Sequence, residues 1–83
     1  MPVENLAILE IARFMASHPS PEDVINFTAS DEVNQRAYAL LAADRDGIIT
    51  DEERRELDSY EAIQHIVIQA KAEAFLKVRQ QAS

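Results

Sequence analysis

The chain has 83 residues, one glycine, three prolines and no cysteine, and its 15 acidic against 8 basic side chains leave a net charge of −7. That length supports one domain with a marginal core, which no disulfide or thiolate metal site can reinforce. The lone glycine argues against an all-β fold and excludes glycine-rich phosphate loops, while the acidic balance argues against direct nucleic-acid binding, which needs a basic face.

The first 15 residues include Glu4 and Glu10 and no early positive charge, so they do not read as a signal peptide. No apolar run approaches the ~20 residues of a membrane helix. These absent signals lead us to expect a cytoplasmic, bacterial-type protein with no membrane partner.

Three places repeat one pattern, a hydroxyl residue followed at once by acids: Ser20-Pro21-Glu22-Asp23, Ser30-Asp31-Glu32 and Thr50-Asp51-Glu52-Glu53. A short hydroxyl side chain caps the orphan amides of a first helical turn, and acids behind it meet the positive end of the helix dipole. Thr50 and Glu53 have the spacing of a capping box. With a further start near Pro2-Val3-Glu4, the pattern predicts four helices in a single domain over residues 1–83. Eight of the 15 acids, Glu4 among them, then fall in first turns, so half of the acidity has a structural reason.

The first helix is expected from about Val3 to Ser17, where His18-Pro19 stops it. Ala7, Ile8, Ile11, Phe14 and Met15 share one face, and Leu6 and Leu9 lie on the other. A short second helix is expected over about Pro21 to Phe27. The third runs from Asp31 to about Ala43 on a stripe of Val33, Ala37, Leu40 and Leu41, and Gly47 follows as its left-handed cap.

The fourth helix, about 51–80, dominates. It contains neither glycine nor proline, and some 30 residues span roughly 45 Å. A compact domain of this length has a radius of gyration near 12 Å and a diameter of about 24 Å. Tyr60, Ile63, Val67, Ala70 and Ala74 follow the 3-4-3-4 spacing of a coiled-coil seam. Leu57, Ile68 and Phe75 form a second stripe, and Ile66 and Leu76 point away from both. The expectation is an all-α domain of three short helices and one long projecting helix. The C-terminal half of that helix should pack on a second copy or on another protein, with Leu6, Leu9 and the five seam residues at the interface. The first part of the helix is acidic and Lys71, Lys77 and Arg79 make its end basic, so two copies would attract one another antiparallel.

Candidate sites are few. The loop 44–53 resembles the second part of an EF-hand, with Gly47, Ile49 and Glu53 at the sixth, eighth and twelfth positions. Ala42 then stands where the first carboxylate belongs. Gly47 as a C-cap with a Thr50–Glu53 capping box explains the same residues, so no metal site is expected and Asp44, Asp46 and Glu53 are weak candidate ligands. Glu61 and His65 are four apart in one copy, which suits an exposed pair. His18, at a helix end, complements the dipole. No nucleophile–base arrangement is visible, so we expect no catalytic residue, no cofactor and no enzyme. Two alternatives remain at this point: a calcium- or metal-binding protein using the loop 44–53, and a small enzyme built on carboxylates with Tyr38 or Tyr60.

The stretch Gly47-Ile48-Ile49-Thr50-x-Glu52-Glu53-Arg54-x-Glu56-Leu57-x-x-Tyr60, followed by Ile68-x-Ala70-Lys71-Ala72, resembles a family of short, largely uncharacterised bacterial proteins. The segment Pro19-Ser20-Pro21-Glu22-Asp23-Val24-Ile25-x-Phe27 is similar to their upstream part, so the resemblance covers about residues 19–76. Ile49 replaces the family's usual leucine. Members of this family are similar to genes lying beside an HNH-type endonuclease or another toxin-like gene. The resemblance therefore implies an antitoxin, immunity or accessory role toward a nuclease or toxin-like partner. A small acidic protein suits the basic nucleic-acid face of a nuclease, because complementary potentials speed and orient association.

Overall fold

A computed structural model describes residues 5–82. It is all-α, with no strand among those residues. The helices are α1 (Leu6–Ala16), α2 (Pro21–Ile25), α3 (Asp31–Arg45) and α4 (Asp51–Ala82).

Each start is held by a side chain. Ser20 and Asp23 cap α2 reciprocally: the Ser20 amide donates to the Asp23 carboxylate and the Asp23 amide to Ser20 Oγ, both at 3.1 Å. The Val33 amide donates to Ser30 Oγ at the start of α3. At α4 the Thr50 amide donates to Glu53 at 2.9 Å and the Glu53 amide to Thr50 Oγ1 at 3.1 Å. The cap of α1 is Asn5, whose Oδ1 accepts from the Ala7 and Ile8 amides. That helix therefore begins later than expected from Pro2-Val3-Glu4, which lie outside the described residues, and its first turn carries no acid.

The ends differ in kind. Past α3, Gly47 has φ 74°, the Gly47 amide donates to the Asp44 carbonyl and the Ile48 amide to the Ala43 carbonyl. Both bonds of a Schellman motif are present. The helix runs two residues beyond the expected Ala43, so Asp44 and Arg45 are helical. Past α1 the left-handed position is taken by His18, with φ 56°. Its amide donates to the Met15 carbonyl. The second bond of the motif cannot form, because Pro19 has no amide proton. The Phe14 carbonyl accepts instead from the amide and the hydroxyl of Ser17. The second helix is shorter than expected and closes on Asn26.

Burial is sparse. Ala7, Val33, Leu40, Leu57 and Tyr60 form the core, and Leu6, Ala29, Ala37, Ile49 and Ile63 pack against it. The face of α1 thus differs from its periodicity. Leu6, expected at a partner interface, lies on the core with Ala7, while Ile8 and Met15 are exposed. Ala7, Ile11 and Phe14 keep the inward stripe, and Leu6 and Ile8, 100° to either side of Ala7, fall respectively toward the core and toward solvent.

The longest helix contacts each of the other three, most extensively α2. Its 32 residues at 1.5 Å each make about 48 Å, close to the longest molecular dimension of 51 Å. The radius of gyration is 15.1 Å against about 12 Å for a compact chain of this length. The rest of the domain clusters around α4 without enclosing it.

Candidate interaction surface

The inner face of α4 is the face of its heptad seam. Tyr60 is in the core beside Leu57, and Ile63 packs on it. Val67 is half-buried and Ala74 buried, whereas Ala70 is exposed. Much of the seam expected to meet a second copy is therefore occupied by this chain's own short helices. Residues of α1 and α3 cover Tyr60 and Ile63, and farther along Val24 of α2 lines one groove with Ile66, Val67 and Ala70. Leu9 is half-buried.

The flanks of α4 stay open. Ile68, Phe75, Ile66 and Leu76 are each half or more exposed. A 100° step per residue puts Ile68 and Phe75, one heptad apart, on one flank and Ile66 with Ala70 on the other. Each flank borders a groove. On the Ile68 side the groove is about 550 Å³, floored by α1 and the loop before α3 at Ile11 and Thr28, and opens between α3 and α4 past Tyr38, Leu41, Gln64 and Ile68. On the Ile66 side a groove of about 220 Å³ lies between the end of α1, α2 and α4. Phe14 and Phe27 sit at its edge, with ring centroids 4.6 Å apart.

Polar contacts brace this framework. Glu10 reaches from α1 to the start of α3, where its carboxylate accepts from both the amide and the hydroxyl of Ser30. Arg36 grips Glu56 with two parallel bonds of 2.8 Å. The Arg36 guanidinium holds the Glu56 carboxyl below the usual carboxylate range, and burial, helped by Glu56, pushes the Tyr60 phenol up. The Thr50 amide and hydroxyl lower Glu53. Sequence reasoning missed the Glu10–Ser30 and Arg36–Glu56 bonds, which span 20 residues each. Glu10 leaves one trace, as an acid three residues past buried Ala7 on the same helix face.

The candidate ligands of the 44–53 loop are all engaged. Asp44 accepts from Arg54, Asp46 pairs with Arg45 at 3.5 Å, and Glu53 belongs to its capping box. Among the described residues no three His, Asp or Glu side chains gather as a metal site would require. Glu61 and His65 are exposed on one face of α4, and His18 is exposed past the end of α1. Among the described residues no helix is long and apolar enough to cross a membrane.

Comparison with known proteins returned no matching family model, no matching curated protein and no matching solved structure.

Proposed function

We propose that this chain is a non-enzymatic helical interaction module. It acts as a homodimer that binds a nuclease or toxin-like protein, as that protein's antitoxin, immunity or accessory subunit. One observation carries the interaction reading: apolar side chains stand bare along both flanks of α4. Exposed apolar surface of this extent marks a contact site. The charged side chains support the same reading, since those that approach one another serve caps and ion pairs. The nuclease is suggested by the resemblance of residues 19–76 and suits the net charge of −7.

The test is co-expression of the chain with the protein encoded beside it, followed by purification through a tag on one of them. A stable complex that suppresses or supports the nuclease activity is the expected result. Absence of a complex, together with unchanged nuclease activity, overturns the assignment of partner.

A further inference from the structure

We infer that a second copy docks antiparallel on the α3–α4 flank, centred near Ile68, and sets its Phe75 into the groove beside Tyr38 and Leu41. This rests on the homodimer in the reading above and assigns it a face and a direction.

Area comes first. The chain exposes 6374 Å². A folded monomer of 9.3 kDa exposes roughly 5,000 Å² by the usual scaling. The surplus of about 1,400 Å² exceeds the ~800 Å² that each partner gives to an interface of standard size. A second copy therefore finds enough surface here for a stable dimer.

The apolar side chains supply the location. Tyr38, Leu41 and Ile68 line one groove and are each about half exposed or more. Phe75 lies one heptad beyond Ile68, offset by only about 20° around the helix. Together they continue the buried Leu57 position outward along one stripe, past the point where α3 stops covering it.

Charge supplies the direction and the occupant. The first part of α4 has Asp51, Glu52, Glu53, Glu56, Asp58 and Glu61 against Arg54 and Arg55. Its end has Lys71, Lys77 and Arg79 against Glu73. In an antiparallel pair with its two-fold axis near Ile68, Arg79, eleven residues beyond Ile68 and so on the same flank, lies across from residue 57 of the other copy, about one turn from its Glu61, which is one heptad before Ile68, and the contact occurs twice. A parallel pair would instead align acid with acid and base with base. One helix thus holds both halves of a self-complementary surface, which an isologous dimer needs.

The experiment has four arms. Sedimentation at micromolar concentration is expected to give a dimer. Replacing Ile68 and Phe75 together by Glu should halve the mass and leave helical content unchanged, because both side chains are more than half exposed. The matched variant Ile66→Glu with Leu76→Glu should remain dimeric. For direction, the chain lacks cysteine, so a spin label on Gln81→Cys reports one site. The antiparallel pair sets two such labels roughly 40 Å apart, and a parallel pair within about 20 Å. A monomeric parent overturns both the homodimer and this inference. A dimer that survives the Ile68/Phe75 change, dissociates on the Ile66/Leu76 change, or shows the short distance overturns this inference alone.

Discussion

Leu40 offers the sharpest test of the core. It is the largest fully buried side chain, at 1% exposure, and belongs to the cluster with Leu57 and Tyr60. Leu40→Ala removes the outer part of the side chain, about 2.4 kcal/mol of transfer energy at ~0.8 kcal/mol per methylene. The void left behind adds to this, for a total of about 3 kcal/mol. Total stability for a domain of this length is roughly 4–12 kcal/mol, so one truncation takes a quarter or more of it. Urea unfolding followed by helical circular dichroism measures the change, at fixed protein concentration because association stabilises the folded chain. Leu41, the next residue, is 47% exposed. Leu41→Ala should cost under about 1 kcal/mol in chain stability and instead weaken dimerisation. A Leu40→Ala cost below about 1 kcal/mol, or equal costs at the two positions, would refute this account of the core.

Three further outcomes are expected. Thr50→Ala removes the hydroxyl that caps Glu53 and should cost about 1 kcal/mol in chemical unfolding; an unchanged midpoint would remove the capping box from the account of α4. His18→Gly relieves a left-handed residue whose strain is about 1–2 kcal/mol, less the added freedom of the unfolded chain. A net gain of roughly 0.5–1 kcal/mol is expected, and a loss would mean that the imidazole contributes more than its strain. Glu56 has a lowered pKa in the folded chain, so its contribution is complete above the ordinary glutamate value of about 4.3 and disappears as pH falls through the depressed folded value. Glu56→Gln should therefore start less stable at neutral pH and lose less on acidification, the two melting curves converging once the pH has fallen below the depressed folded value; curves that stay parallel would discount the Arg36 pair.

The architecture was legible because its signals are local. A capping side chain and its amide lie within three residues, so Ser20, Ser30 and Thr50 mark three helix starts without tertiary knowledge. Asn5 was passed over because Pro2-Val3-Glu4 offers a stronger compositional signal a few residues earlier, while the bonds from Asn5 to Ala7 and Ile8 follow only from where the chain turns. The length of α4 was readable from its lack of breakers. The candidate surface was readable only in part. A 3-4 repeat states that a stripe will be covered, but a helix of the same chain and a helix of another leave identical spacing. Tyr60 and Ile63 go to the chain's own core because Leu6 and Ala7 of α1 and Val33, Ala37 and Leu40 of α3 close on that part of α4, a matter of loop geometry that periodicity does not encode.

That division explains how one helix serves two tasks. The inner face of α4 has Leu57, Tyr60, Ile63, Val67 and Ala74, graded from large side chains where α1 and α3 meet it to a small one farther along, beyond the core. Ala74 is 5% exposed yet offers little area, so the distal half of α4 gains little from its own chain. A domain that ended its helix near Val67 would lose little core. It would lose Ile68, Phe75 and Arg79, the residues assigned to the proposed dimer. The distal half of α4 is therefore better explained by association than by the monomer's stability. In the proposed dimer the acids of the first half, of which Glu53 is fixed in a cap and Glu56 in an ion pair, would set the direction of association.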